Sequence, residues 1–342
     1  MSDKPGLVIH GGSLATVADA ARRAEQAGFE SVWTTEFYDR SATVSLAAMA
    51  QATKSITIGS AIMYAVGRSP LILAIEAQDL DELSGGRLVL GLGTGTKRMQ
   101  SDWHGADPSS PAPRVEELVP LLRELWAMSK GGVDHQGRFY SLHLERIGHV
   151  RDTGRTSIPV YLGGVNPRML TAVGRVGDGL IGHPLFTRRY VEEVVRPTLA
   201  EAAATAERDT PQVAGYVLCA IHDDPEVARR EAKAQIAFYA LTRTYEVIMR
   251  LHAFESQAAE ARSAWHADDR DAMVTAISDE MLATIAVAGT ADQVRDQLTA
   301  NFAGLYDRVL LYPPNYGVPP GRLRESIDAI IDTFAVSPGA LR

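Results

Sequence analysis

Short apolar runs without polar alternation recur along the chain, each followed by a stretch whose apolar residues fall three and four apart. The first pattern is that of a strand buried on both faces, and the second that of an amphipathic helix. Leu7 to His10 is the first such strand; Val17, Ala20, Ala21, Ala24 and Ala27 then form a helical face that stops at Gly28. Ser31 to Thr35 is the second strand, Val44 to Thr53 a helix, and Ile56 to Ile62 the third strand. Pro70 opens a helix with Leu73, Ala77, Leu80 and Leu83 on one side, Gly85 and Gly86 end it, and Leu88 to Leu92 is the fourth strand.

The pattern continues with a helix bearing Val115, Leu118, Leu121, Leu122 and Leu125, and then lapses over Ser129 to Ser157, a stretch rich in Gly, His and Arg that reads as an irregular insertion. It resumes with strands at Pro159 to Leu162, Gly179 to Gly182 and Val213 to Ile221, separated by helices over Pro167 to Val176 and Thr187 to Thr205. From Pro225 to Ala286 the chain is helical for longer than one crossover needs, which predicts extra helices at a rim or an interface. Thr290 and Gln293 make a capping box for the next helix, Arg308 to Tyr312 is the eighth strand, and Leu323, Ile327, Ile331 and Phe334 form the last helical face. Eight strands each followed by a helix predict an α/β fold of the (β/α)8 TIM-barrel class. The expected organisation is one domain over residues 1–342, with insertions at 129–157 and 225–286.

Composition narrows the partners. A formal net charge of -8 and the lack of a long basic run argue against general affinity for nucleic acid, leaving small molecules and other subunits. No apolar run approaches the length of a membrane span, so the expected location is the cytoplasm. Cys219, the only cysteine, lies in an apolar strand and reads as a small buried hydrophobe. No His, Asp and Glu grouping has metal-ligand spacing, and no Gly-x-Ser-x-Gly elbow appears, so no metal is expected.

In a barrel of this class the active site sits at the carboxyl ends of the strands. That rule selects His10, Thr35 and Glu36, Ala61 to Tyr64, Gly93 to Lys97, Gly163 to Asn166, Gly182 and His183, and Tyr312. Gly93-Thr94-Gly95-Thr96 is small and polar, as a loop that lets a ligand approach the backbone should be. It is not a dinucleotide fingerprint, because no glycine follows to open a helix.

Several stretches together resemble the bacterial luciferase-like superfamily, and most closely its deazaflavin F420-dependent oxidoreductases. They are Gly28-Phe-Glu-Ser-Val-Trp-Thr-Thr-Glu-Phe37, Ile56 to Ile62 with Arg68-Ser-Pro70, Leu80 to Gly95, and Pro159 to Gly164 through Gly177-Asp-Gly179. The resemblance implies a TIM barrel that binds F420, or alternatively FMN, and a cis peptide in strand three that falls here at Ala61-Ile62. It further implies a homodimer. An Asp-His pair of some relatives is Thr35-Glu36 here, the acidic residue after their Gly-Thr-Gly is Thr96, and their phosphate-binding Gly-Gly is Gly163-Gly164. Their lysine after strand six is Phe186, with Arg188 and Arg189 the nearest cations.

Hydride transfer needs a flat cofactor held against the substrate, water excluded, and a group that moves the accompanying proton. Glu36, His10 and His104 are the candidates for the proton; Glu36 is read as a carboxylate raised by burial or as one paired to Arg40 or Arg68. Thr35, Ala61, Ile62, Gly93, Thr94, Gly95, Thr96, Gly163, Gly164, Val165, Asn166, Gly182 and His183 are expected to hold the cofactor. Phe238, Tyr239 and Tyr245 read as core or interface positions. The expected activity is F420-dependent oxidoreduction of a small organic substrate. An FMN-dependent monooxygenase is the first alternative and a cofactor-free binding protein the second.

Overall fold

The computed structural model describes residues 4–128, 132–145 and 155–336. Twelve strands occur among them: β1 (Gly6–Val8), β2 (Ser31–Thr34), β3 (Thr57–Ser60), β4 (Met63–Tyr64), β5 (Leu88–Gly93), β6 (Val133–Gln136), β7 (Ser141–Leu144), β8 (Val160–Gly163), β9 (Gly179–Ile181), β10 (Gln212–Ile221), β11 (Ala286–Gly289) and β12 (Arg308–Tyr312). Eight of these close a parallel barrel in the order β1, β2, β3, β5, β8, β9, β10 and β12, and β12 pairs back onto β1. The apolar runs are buried on both faces because side chains fill the barrel inside and helices cover it outside. Within the barrel the rings of Trp33 and Tyr161 lie 6.2 Å apart.

The first five helices are α1 (Leu14–Gln26), α2 (Ala42–Ala52), α3 (Pro70–Ser84), α4 (Pro111–Trp126) and α5 (Pro167–Val176). Ser13, Ser41, Ser69 and Asn166 cap α1, α2, α3 and α5 by accepting an amide proton from the first turn. These caps stand just beyond the strands' carboxyl ends, so each crossover turns sharply into its helix. The expected capping box is present, with the Thr290 N–H donating to Gln293 Oε1 at 2.9 Å.

Three local features differ from the sequence expectation. The third strand, expected unbroken, is interrupted: β3 ends at Ser60, the cis Ala61–Ile62 peptide follows where the resemblance places it, and β4 resumes pairing with β5. The stretch read as irregular carries an antiparallel hairpin, β6 with β7, although Ser129 to Gly131 and Arg146 to Gly154 lie outside the described residues. Its turn is held by Glu117 of α4, whose carboxylate accepts the amides of Arg138, Phe139 and Tyr140 at 2.8 to 3.1 Å. Finally, the helical stretch after β10 comprises several helices, from Pro225–Ala240 to Asp279–Ile285, and ends in β11, which pairs with the far end of β10. A four-residue strand directly after a helix carries no period of its own, and the sequence pattern assigns Ala286-Val-Ala-Gly289 no element beyond the helical stretch that ends at Ala286.

Candidate active site

The mouth of the barrel is built around the break in strand three. Ala61 N–H donates to the Thr34 carbonyl at 2.7 Å, and Glu36 N–H donates to the Ile62 carbonyl at 3.0 Å. From across the barrel, the Tyr216 hydroxyl donates to the Ala61 carbonyl at 3.4 Å. The Ile62 side chain therefore projects where β5 and β8 end. A Cβ at Gly93 would meet it at 2.8 Å and one at Gly163 at 3.3 Å. The side-chain space that these two glycines leave is filled by Ile62. Gly95 does serve a turn, at a φ of +68° and with the Tyr64 ring 3.0 Å from where a Cβ would stand.

Glu36 takes the second of its two expected readings, a carboxylate paired to Arg68. Its carboxylate takes two hydrogen bonds from Arg68, at 2.6 and 2.8 Å, and one from the Tyr64 amide at 2.9 Å. Both side chains are largely buried, at 8% and 18% exposure, and Arg68 also binds Glu76 at 3.0 Å. Burial by itself would raise the Glu36 pKa, but the Arg68 and Tyr64 hydrogen bonds outweigh it and hold the carboxyl below the usual glutamate range. A carboxylate held ionised in this way is a poor proton carrier near neutral pH. Glu36 instead ties β2 to β4 across the cis peptide.

His10 presents the opposite case. Its ring is buried 5.0 Å from that of Tyr312, and neither nitrogen has a hydrogen-bond partner among the described residues. Burial lowers its pKa to about 4 against a smaller opposing effect of Asp39, so the imidazole is neutral at pH 7. The Tyr312 ring lies tilted against that of Tyr216 at 4.8 Å, and its hydroxyl accepts a hydrogen bond from Tyr239 at 3.0 Å. Burial raises the pKa of all three phenols, so they remain protonated donors.

Tyr239 and Tyr245 pack against the core, as expected. Although they lie in the helical stretch after β10, both reach the mouth: Tyr245 stacks on His183 at 4.0 Å, and Tyr239 meets the same ring edge-on at 4.7 Å. His183 Nδ1 accepts the Leu185 amide at 3.2 Å, which places the ring proton of the neutral imidazole on Nε2. Desolvation lowers its pKa to about 3. Gly182 continues the wall beside it by donating its amide to Ala214.

On the other side of the mouth, the His104 ring lies 4.8 Å from that of Tyr64, and its buried Nε2 has no partner among the described residues. Burial, aided by the Glu36 carboxylate, pushes Tyr64 up to about 12. The remaining loop groups are engaged locally: the Thr94 hydroxyl reaches the Gly95 carbonyl, Thr96 Oγ1 accepts the Met99 amide, and Asn166 caps α5. Val165 lends its carbonyl to the Tyr190 hydroxyl, and Thr35 lies half-buried beside Glu36. Arg188 and Arg189, the cations nearest the expected lysine position, bind Glu192, Glu193 and the carbonyls of Asn301, Ala303 and Leu251. Among the described residues no cluster of three or more His, Cys, Asp or Glu could hold a metal ion, and no helix is long and apolar enough to cross a membrane.

The site thus assembles His10, Tyr64, His104, His183, Tyr216, Tyr239, Tyr245 and Tyr312 around the Ile62 bulge. Residues 2–308 match the luciferase-like monooxygenase family. The chain belongs to that family. It is 27% identical to a 5,10-methylenetetrahydromethanopterin reductase of Archaeoglobus fulgidus, over 80% of this chain and 82% of that protein. The coenzyme F420-dependent tetrahydromethanopterin reductase of Methanopyrus kandleri has the same fold, with a TM-score of 0.80 at 23% identity, covering 97% of this chain and 99% of that one. An FMN-containing type II Baeyer-Villiger monooxygenase of Pseudomonas putida also shares it, with a TM-score of 0.68 at 18% identity over 99% and 100% of the two chains. Relatives of this family are oxidoreductases and monooxygenases, and the chain is an enzyme of that broad kind.

Proposed function

We propose that the protein is an oxidoreductase that uses coenzyme F420 to move a hydride to or from a small organic substrate. The observation that carries this reading is the buried His10 imidazole, with neither nitrogen partnered among the described residues, set among protonated tyrosines beside the Ile62 bulge. An unsatisfied buried polar atom costs on the order of 1–3 kcal/mol, a cost that a ligand hydrogen-bonded to His10 would relieve. The likeness to a tetrahydromethanopterin reductase described as coenzyme F420 dependent supports F420 as the choice.

The residues present fit a flat redox cofactor. When bound, that cofactor supplies the ring that gives or takes the hydride. Ile62 would back the ring, and the Gly164-Val165-Asn166 turn at the start of α5 offers main-chain amides to a phosphate. His10, uncharged at pH 7, would accept a hydrogen bond or the substrate proton, beside a Tyr312 hydroxyl that donates to Asn315. Tyr239 and Tyr245 cover His183 and exclude water from that side. Glu36 and Arg68 would hold the bulge in place. Val44 of α2 with Ile72, Ile75 and Leu83 of α3 are exposed apolar residues that a second copy would cover, so the reading includes a homodimer, located in the cytoplasm.

The second reading is an FMN-dependent monooxygenase, favoured by the fold shared with the FMN-containing enzyme. Titration of the purified protein with F420 and separately with FMN, followed by cofactor fluorescence, distinguishes the two. Micromolar F420 binding without FMN binding is the expected result. Preference for FMN would replace the proposal by the monooxygenase, and binding of neither would leave the cofactor-free binding role.

A further inference from the structure

Three large aromatic side chains on the rim are exposed where burial would be ordinary. Phe37 is 40% exposed, Tyr38 75% and Trp103 41%. Their rings touch one another: Phe37 and Tyr38 have centroids 4.6 Å apart, Trp103 meets Phe37 edge-on at 5.1 Å, and Trp103 meets Tyr38 at 5.7 Å. They come from two loops that both belong to the mouth. Phe37 and Tyr38 follow Glu36, which is bonded to the strand-three break, and Trp103 precedes His104, which packs on Tyr64. Trp103 also ends a π-helical turn, Met99–Trp103, a widened helix that recurs at functional sites.

Contiguous exposed aromatic surface next to a buried polar site marks a place where a ligand completes the packing. The buried His104 Nε2 beside it, unpartnered among the described residues, supplies one polar contact at the inner edge. We infer that Phe37, Tyr38 and Trp103 form the substrate subsite, and that the substrate is a planar aromatic or heteroaromatic molecule bearing a hydroxyl or carbonyl group. Planar rings stack on such a wall at little entropic cost, whereas a saturated molecule of equal size offers no face to the ring edges. This inference rests on the oxidoreductase reading for its chemistry but not for its binding surface.

The test uses the whole protein, with and without F420, and two neutral probes of one shape class: naphthol and its fully saturated decahydro analogue, both titrated by calorimetry. The aromatic probe is expected to bind about tenfold or more tighter than the saturated one. Tyr38→Ala and Trp103→Leu should each weaken it about three- to tenfold, in line with the worth of single aromatic contacts. F420 affinity, read separately from cofactor fluorescence, should change less than about twofold. Equal affinity for both probes, or unchanged naphthol binding in both variants, would overturn the subsite. A parallel fall in F420 affinity would also overturn it, by assigning the rim to the cofactor. So would a change of oligomeric state in Tyr38→Ala, which would make the rim a contact between copies. If the wild-type protein takes no F420, the oxidoreductase reading fails while the naphthol titration of the unloaded protein still decides the subsite.

Discussion

The two ends of the barrel hold different kinds of polar group, ion pairs at the foot and imidazoles and phenols at the mouth, although each end has buried polar atoms without a partner among the described residues. At the amino-terminal foot, charges meet charges: Asp178 binds Arg123 and Arg208 at 2.8 and 3.1 Å and accepts the Val160 amide, and Glu30 stands 3.5 Å from Arg308. Glu25 accepts the amides of Lys54, Ser55 and Ile56, which close the turn into β3. At the mouth, His10 and His104 hold buried nitrogens with no partner among the described residues, and their rings lie tilted against those of Tyr312 and Tyr64. Paired charges at the foot contribute to the fold alone. Unpaired imidazoles at the mouth lower stability and are retained where a ligand would satisfy them.

The Glu36–Arg68 pair is the exception that sharpens this contrast, a foot-like ion pair set in the mouth. Arg68→Ala leaves a buried carboxylate unpaired and should cost about 3–5 kcal/mol by chemical denaturation. Because the folded pKa of Glu36 lies below its ordinary 4.5, the pair stabilises fully above that pH and its contribution is lost as acid protonates the folded carboxylate. Glu36→Gln should therefore flatten the stability profile below about pH 4.5; a profile unchanged from wild type would refute the pairing.

His10→Leu should give the next largest effect, with the contrasting sign. The folded imidazole has a pKa near 4 against an ordinary 6.5, so it binds fewer protons than the unfolded chain between those values, and stability falls as pH drops from 6.5 to 4. The loss amounts to about 3 kcal/mol. Denaturation curves at pH 7 and pH 4 should show His10→Leu at least as stable as wild type at the first and clearly more stable at the second. Asp178→Ala tests the foot and should have the smallest effect. Its carboxylate is partly exposed, so the expected cost is about 1 kcal/mol, with F420 affinity unchanged. A variant that lost the cofactor would show that the two ends are not separate.

Much of the architecture was legible in the pattern of apolar residues. All eight barrel strands lie where the unbroken apolar runs place them, since a strand buried on both faces needs no partner to declare itself. The Thr290 capping box was equally legible, because its hydrogen bonds join residues three apart. The candidate site was legible only in outline. His10 and His183 follow β1 and β9, where the carboxyl-end rule places them because it depends only on strand direction, whereas His104 comes from the loop after β5 and lies outside that rule. Tyr239 and Tyr245 were missed, since a helical repeat does not tell which of its faces leaves the helix layer and covers a neighbouring mouth. The hairpin β6–β7 was missed because polar, half-exposed strands lack the unbroken apolar signal.

The sequence by itself determined the order of strands and helices, their caps, and the end of the barrel at which chemistry is possible. These follow from local periodicity and from hydrogen bonds between near neighbours. Only the tertiary structure decided which polar groups are satisfied. Glu36 lies 32 residues from Arg68, and Gly93 and Gly163 face an isoleucine brought from strand three, while His10 is left unpaired beside Tyr312. Protonation and the room left for a ligand depend on what burial brings within a few ångströms of a group, and chain order does not carry that information.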